Sequence, residues 1–464
     1  MGVAVSDWRL ARAVSETGHL GVVSGTALDA VLVRRLQMGD EGGHLRRALA
    51  AMPIPGAAER ILNRYFIPGG KQLTERFVAI SMKRDRPSRN VEDLLVASSF
   101  VEVYLAKEGH DGPVGINYLE KVQAPTLPSI YGAMLAGVDY VIMGAGIPKA
   151  IPGVLDKLAA GQPVELRLDV KHSSREDDFD AHFDPGPLME GDVPEIARPV
   201  FLAIVSSHVL AIMLATKIDK PVDGFIIEAP NAGGHNAPPR GKLELSEAGE
   251  PVYHERDKPD LEVIRKLGLP FWLAGGYADP ERVKEALASG ATGVQVGTAF
   301  AYCEETGFEA DLKRQVLDLS RKGEARAFTD PRASPSGFPF KVVEMEGTLS
   351  EAEIYEERPR EPCRLGYLRH AYRKDNGGLG WRCAAEPVEV YVRKGGDEAD
   401  TVGRKCLCSA LLANVGLPQV LPDGSPEPPL ITSGDEVASV AQFLATGAET
   451  YTAADVIHHL LPQG

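Results

Sequence analysis

The 464-residue chain has few cysteines, few aromatic residues and no excess of positive charge. Five cysteines are too few for a disulfide scaffold, and an odd number suits free thiols or a metal site. Lysine and arginine total 50 against 65 aspartates and glutamates, a formal charge of −15. A nucleic-acid partner needs a basic face, and aromatic residues at 6% offer no base-stacking platform, so we expect no nucleic acid to bind.

A long hydrophobic run is also missing. The most apolar stretch, residues 201–215, is interrupted by polar residues at 206–208 and is shorter than the roughly 20 residues that span a membrane. Residues 1–18 carry charges where a secretory signal needs apolar side chains. We therefore expect no membrane partner and a cytoplasmic location.

Short apolar segments alternate with helical patterns up to about residue 330, which is typical of strand–helix units around a parallel sheet. The candidate strands are residues 20–24, 114–117, 140–143, 201–205, 224–228, 271–274 and 293–296. Seven strands are one short of a TIM-type (β/α)8 barrel. The eighth strand is expected either at residues 164–170 or upstream of Met1.

Two segments depart from the barrel pattern. Residues 40–95 are rich in proline, glycine and charge, with a helical centre around 57–66, and predict an insertion over the barrel mouth. Loop-forming residues at 330–339 mark a further change of pattern. We expect a barrel at residues 1–330 and a cysteine-containing C-terminal extension at 331–464.

A glycine pair and a histidine follow the predicted strand at residues 224–228, in the order Gly233, Gly234, His235. The C-terminal ends of barrel strands are where such folds carry out chemistry. Glycines let the backbone approach a flat ligand closely, and a histidine exchanges protons near neutral pH. The alternative interpretation is a glycine turn with a surface histidine.

Glycines also end the last two predicted strands, at Gly275 and Gly276 and at Gly297, which Thr298 follows. Paired turns of this kind present backbone N–H groups to an anion at the usual phosphate site of this architecture. Tight turns for helix packing explain each motif singly but not their joint position. The sequence therefore predicts a ligand that carries a phosphate.

Four ordered motifs resemble those of one known family. Residues 115–117, 229–235, 274–276 and 294–298 stand in the order seen in nitronate monooxygenases, formerly called 2-nitropropane dioxygenases. The chain resembles this family over about residues 1–310, and FMN-dependent enoyl-acyl-carrier-protein reductases are similar in the same places. The resemblance implies a TIM-type barrel with FMN across its C-terminal mouth.

The resemblance also implies roles for individual residues. His235 would be the catalytic base, acting on the proton of the carbon that bears the nitro group. Gly275, Gly276, Gly297 and Thr298 would hold the FMN phosphate. The complete set of expected cofactor-binding residues is Asn117, Ser206, Glu228, Gly233, Gly234, Gly275, Gly276, Gly297 and Thr298.

The loop after His235 departs from the family pattern. The family has a small residue and a glycine there, whereas this chain has Asn-Ala-Pro-Pro-Arg, which ends at Arg240. The two prolines stiffen the loop and Arg240 adds a cation. We expect Arg240 to bind an anionic or carbonyl-bearing substrate.

The predicted extension holds four of the five cysteines: Cys363, Cys383, Cys406 and Cys408. Four thiolates can complete a tetrahedral zinc or iron–sulfur site, although this spacing fits no standard zinc finger. Four buried, unlinked thiols are the alternative interpretation. Both interpretations stay open at this point.

These observations predict an FMN-dependent oxidoreductase with a small-molecule substrate, best matched to oxidation of alkyl nitronates with O2. The enzymatic alternatives are an NAD(P)H-dependent enoyl reductase and an electron-transfer enzyme that combines an iron–sulfur cluster with FMN. A flavin-binding subunit of a larger assembly is the non-enzymatic alternative. The sequence leaves the oligomeric state open, a homodimer included.

Overall fold

The central element of the computed structural model, which describes residues 2–174 and 176–461, is a parallel seven-stranded sheet. The order of the strands in the sheet is their order in the chain. The strands are Gly21–Ser24, Val114–Leu119, Tyr140–Gly144, Val200–Val205, Gly224–Glu228, Phe271–Ala274 and Gly293–Gln295. All seven predicted strands are present, and the predicted α/β fold of TIM-barrel type is confirmed.

The prediction that residues 164–170 supply an eighth barrel strand is wrong. Val164–Arg167 pairs antiparallel with Asp180–Phe183, and Val170–Lys171 pairs with His370–Arg373, all outside the central sheet. Side chains in Val164–Arg167 alternate between buried and exposed, as in a strand with one solvated face, whereas strands of a parallel barrel are covered on both faces. The described residues add no eighth strand to the central sheet.

Helices follow most of the strands and cover the sheet. Many begin at a polar cap; for example, the Asp279 carboxylate accepts the amide hydrogens of Glu281 and Arg282. No helix within residues 2–174 and 176–461 combines the length and the apolar character needed to cross a bilayer. The helices are Trp8–Ser15, Leu28–Gln37, His44–Ala51, Ala57–Tyr65, Arg89–Lys107, Thr126–Leu135, Ile151–Ala159, Pro185–Leu188, His208–Thr216, Leu261–Arg265, Pro280–Ala288, Thr298–Ala301, Ala310–Lys322, Ala352–Glu357, Val388–Arg393, Leu407–Ala413 and Ala453–Leu460.

The C-terminal residues pack against the barrel through a shared apolar core. One hydrophobic cluster joins Val31 and Ala299 of the barrel to Leu349, Leu430 and Val456. Two antiparallel strand pairs lie in this part of the chain, Ala327–Asp330 with Phe340–Val343 and His370–Arg373 with Leu379–Arg382. The first of these pairs runs close to the mouth of the barrel.

Three distant segments meet at a buried ion pair. Lys83, from residues 40–95, places its Nζ 2.5 Å from Asp29 Oδ2 and 3.1 Å from the Tyr367 hydroxyl. The Tyr367 hydroxyl donates to Asp29 Oδ1 at 2.5 Å. All three residues are buried. This contact links the insertion, the helix after the first strand and the C-terminal extension.

Candidate active site

The loop that carries His235 is braced by the C-terminal extension. It follows strand Gly224–Glu228 at the C-terminal edge of the sheet. The backbone of residues 234–236 pairs with residues 339–341 through one antiparallel bridge, flanked by two hydrogen bonds of 2.9 Å. The backbone position of His235 therefore depends on residues that lie about a hundred positions later in the chain.

The His235 imidazole lies in a mostly apolar setting, with one polar side-chain contact among the described residues. Its Nε2 atom is 2.7 Å from Ser334 Oγ. The rings of Phe338 and Phe340 approach it edge-on, with centroid distances of 6.5 and 4.7 Å. Burial lowers the pKa of His235 to about 4, because the charged form loses its hydration there. The imidazole is therefore neutral at neutral pH and has a lone pair that can accept a proton.

A cavity at the end of the same strand contains a carboxyl group and a guanidinium. Its lining includes Ser206, Glu228, Arg240, Tyr253 and Asp257. Burial raises the pKa of Glu228 to about 7, so part of the Glu228 population keeps its proton at neutral pH. The cavity can thus present a neutral carboxyl group as a hydrogen-bond donor.

Arg240 is fixed through its backbone and keeps donors for a ligand. Its backbone N–H group donates to Asp257 Oδ1 at 2.7 Å. Its Nη2 atom is buried and has no hydrogen-bond partner among the described residues. Buried donors are normally satisfied, so this guanidinium suits a ligand with oxygen acceptors.

Gly275 and Gly276 form a turn that only glycine can occupy. Their φ angles are 95° and 76°, in the left-handed region. A Cβ atom would lie 2.5 Å from the Asn231 side chain at Gly275 and 2.4 Å from it at Gly276. The buried Asn231 Oδ1 lacks a hydrogen-bond partner within the described part of the chain, and space is open around a Cβ at Gly297. The turn at Gly275 and Gly276 is thus packed against Asn231, whereas the space at Gly297 is open to a ligand.

Residues of the extension already contact three of the predicted cofactor-binding positions. Thr298 Oγ1 accepts the Gly434 amide hydrogen at 2.9 Å, which leaves the Thr298 hydroxyl hydrogen for another acceptor. The Gly234 amide donates to Thr432 Oγ1 at 3.1 Å. A Cβ at Gly233 would lie 2.7 Å from the Gly434 nitrogen, so the absence of a side chain lets the two segments pack closely.

The parallel sheet brings the predicted site residues to one edge. Asn117 lies in strand Val114–Leu119, paired in register with Ser24 of the first strand. Ser206 directly follows Val200–Val205, and Glu228 ends its own strand. Because parallel strands end at the same edge, residues far apart in sequence share the barrel mouth.

The structure does not show the metal site that was one of the two interpretations of the four cysteines in the extension. Across residues 2–174 and 176–461, no group of three or more His, Cys, Asp or Glu side chains is arranged to hold a metal ion. Cys363, Cys383, Cys406 and Cys408 are free thiols, as in the alternative interpretation, but only Cys383 is buried and the other three are half-buried. The Cys383 thiol hydrogen-bonds to Cys363 and, with the nearby Arg369, lowers the pKa of Cys363 to about 7.

Sequence reasoning missed the residues of the extension that surround His235. Ser334, Phe338 and Phe340 lie in or next to the segment of residues 330–339, which is rich in serine, proline and glycine and which the sequence marks as loop-forming. The sequence feature that could have pointed to them is the pair of phenylalanines at the end of that segment, Phe338 and Phe340. That feature does not reveal which part of the molecule the segment contacts.

The part of the chain that carries this site matches a known protein family. Residues 195–325 match the model of the nitronate monooxygenase family. The predicted resemblance to this family is confirmed. The nitronate monooxygenase match includes the strand Gly224–Glu228, His235 and both glycine turns, and it ends before Ser334.

Individual relatives match only part of this chain. A probable nitronate monooxygenase of Bacillus subtilis (strain 168) is 32% identical over 102 residues, which are 22% of this chain and 28% of that protein. The (3aS,4S,5R,7aS)-5-hydroxy-7a-methyl-1-oxo-octahydro-1H-indene-4-carboxyl-CoA dehydrogenase of Mycobacterium tuberculosis (strain ATCC 25618 / H37Rv) is 27% identical over 124 residues, 27% of this chain and 30% of that protein. The matches thus span less than a third of either relative.

Among solved structures, FabK from Thermotoga maritima aligns over 98% of this chain and 88% of its own chain, with 17% identity and a TM-score of 0.46.

Proposed function

We propose that this chain is an FMN-dependent oxidoreductase of the nitronate monooxygenase type, which oxidises alkyl nitronates with O2. The observation that carries the proposal is the half-buried imidazole of His235 at the C-terminal edge of the barrel, where a lowered pKa keeps it neutral. The cavity lined by Glu228 and Arg240 lies at the end of the same strand and would present a carboxyl group and a guanidinium to a small substrate. The family match over residues 195–325 supports the same reaction class and supports FMN as the cofactor.

The strand-end residues would hold the cofactor. Gly275, Gly276, Gly297 and Thr298 would bind the FMN phosphate through amide groups and one hydroxyl, while Asn117 and Ser206 would contact the ring and ribityl end. FMN, when bound, would supply the electron transfer between substrate and oxygen. The protein then contributes binding, orientation and control of one proton.

His235 would accept the proton from the carbon that bears the nitro group. A neutral imidazole is the form that a base needs, and the low pKa of His235 keeps it neutral over the physiological range. Arg240 would bind the two oxygens of the nitro group, because a guanidinium fork matches two adjacent oxygen acceptors. Binding of these oxygens stabilises the negative charge that develops when the proton leaves.

The test uses purified full-length protein, first by its visible absorption spectrum and then by turnover. We expect bound flavin and oxidation of both nitroalkane and preformed nitronate. His235→Ala should lower turnover of the neutral nitroalkane by roughly 100-fold or more, as for loss of a general base, and affect the preformed nitronate less. His254→Ala removes an exposed histidine and is the matched control.

Several outcomes would replace the proposal. Full activity of His235→Ala, or protein that cannot bind FMN, would contradict it. Rapid bleaching of the flavin by NAD(P)H with reduction of an activated double bond would favour the enoyl reductase alternative. Absence of turnover together with a stable partner on gel filtration would favour a flavin-binding subunit. The division at residue 330, the cytoplasmic location and a homodimeric state stay predictions.

A further inference from the structure

We propose that Ser334 and Ser336, from the C-terminal extension, act as positioning residues that hold a proton on Nε2 of His235 and thereby make Nδ1 the proton-accepting nitrogen. The proposal rests on the proposed function, in which His235 is the base. It assigns a catalytic purpose to a segment that lies outside the residues matched by the nitronate monooxygenase family.

The first argument is a count of donors and acceptors around Ser334 Oγ. This atom lies 2.7 Å from His235 Nε2 and 2.8 Å from Ser336 Oγ, and it accepts the Ser336 amide hydrogen at 3.2 Å. A hydroxyl has one hydrogen and two lone pairs. One lone pair is taken by the amide, so the single hydrogen must point to either His235 or Ser336.

The two orientations of that hydrogen leave different nitrogens free. If Ser334 donates to His235, Nε2 accepts this hydrogen bond with its lone pair and Nδ1 carries the ring proton. Neither nitrogen is then free to accept a proton from the substrate. If Ser334 donates to Ser336 Oγ, it accepts the hydrogen of Nε2, and the lone pair of Nδ1 is free. Only the second orientation gives His235 the role that the proposed reaction requires.

The same orientation also favours the protonated ring that forms during the reaction. Once Nδ1 has accepted the substrate proton, Nε2–H keeps its hydrogen bond to Ser334, and that bond becomes charge-assisted. In the opposite orientation the serine would donate toward a ring nitrogen that has to gain a proton. The Ser334 hydroxyl therefore aids proton acceptance without leaving its place.

Ser334 is held firmly enough to act in this way. Its side chain is completely buried, with 0% of the residue exposed. Its carbonyl accepts a hydrogen bond from Arg404 Nη1 at 2.6 Å, and the next carbonyl, of Pro335, lies 2.7 Å from His370 Nε2. Two side chains of the extension thus clamp the backbone on which the hydroxyl sits.

Nitrogen-15 NMR of the histidine ring, in the FMN-bound full-length protein, tests the proposal directly. The His235 signals are identified as those lost in His235→Ala. We expect wild-type protein to show a protonated Nε2 and an unprotonated Nδ1, and Ser334→Ala to show a mixture of the two tautomers. A wild-type ring protonated on Nδ1 would overturn the proposal, whether or not any variant folds.

Kinetics supply the second measurement. Ser334→Ala should lower kcat for a neutral nitroalkane by about 10-fold or more, with a smaller change for preformed nitronate, and should shift the pH profile of the nitroalkane reaction. Ser334→Thr keeps the hydroxyl and should retain most of the wild-type rate. Ser336→Ala should lower the rate less than Ser334→Ala. Ser425 is exposed and serves as the control, so Ser425→Ala should leave the rate unchanged.

The two measurements separate this inference from the proposed function. Protein that lacks nitronate turnover but shows the expected tautomers would refute the proposed reaction and leave the serine–histidine arrangement in place. Turnover that depends on His235 but is unchanged in Ser334→Ala, with the tautomer also unchanged, would refute the role of the serines. Flavin absorbance of each variant reports whether the barrel still holds its cofactor.

Discussion

Removing the buried Lys83 should destabilise the protein strongly, because it leaves the Asp29 carboxylate without its cation. The exposed fractions of the two side chains are 1% for Lys83 and 4% for Asp29. Burial lowers the pKa of Lys83, and the neighbouring Asp29 opposes that shift. A charge in this position depends on its partner far more than a surface charge does.

The expected loss of stability depends on the hydrogen bond that Asp29 keeps after Lys83 is removed. Breaking a buried pair by removing one partner costs about 3–5 kcal/mol. Asp29 would still accept the Tyr367 hydroxyl hydrogen at 2.5 Å, and a hydrogen bond to a charged group is worth about 1.5–3 kcal/mol. We therefore expect Lys83→Met to lower the free energy of unfolding by about 3 kcal/mol, at the lower end of that range.

The assay is urea denaturation followed by circular dichroism, with a double-mutant cycle. Adding Asp29→Asn to Lys83→Met removes the orphaned charge and should recover part of the loss. Lys258→Met is the control: it breaks an exposed ion pair with Glu255 of 2.6 Å and should change stability by less than about 1 kcal/mol. Equal effects of Lys83→Met and Lys258→Met would refute the reasoning.

Three further predictions concern the barrel mouth. The pKa of Glu228 is raised to about 7, so its stabilising contribution is complete below its usual pKa and is lost as pH rises through 7. In thermal melts, Glu228→Gln should therefore gain stability relative to wild type between pH 5 and 8. The lowered pKa of His235 has the opposite sign, so His235→Ala should resist the loss of stability that wild type shows as pH falls from about 6.5 toward 4. Arg240→Met should raise KM for a nitronate by about 10-fold or more, since about 1.5–3 kcal/mol of charged hydrogen bonding is lost; an unchanged KM would remove Arg240 from the site.

The sequence by itself determined the barrel strands and the location of the glycine turns. The hydrophobic spacing of strands and helices is a local property of the sequence, and glycine and proline mark where these elements end. The sequence therefore locates the strand Gly224–Glu228 and the loop that contains His235. Because parallel strands end at one edge of the sheet, the sequence alone predicts that Glu228 and Gly276 lie at the same mouth of the barrel. The glycines of the proposed phosphate site follow from these two rules, whereas the roles of Asn117 and His235 follow from the resemblance to nitronate monooxygenases.

Only the tertiary structure decided the contacts between segments far apart in the chain. His235 meets Ser334 across 99 positions, and Lys83 meets Tyr367 across 284. No local period encodes such a pairing, because it depends on how the extension packs against the barrel. For the same reason, the alternating pattern of residues 164–170 could not reveal its partner strands, and cysteine spacing could not reveal whether four thiols converge on a metal.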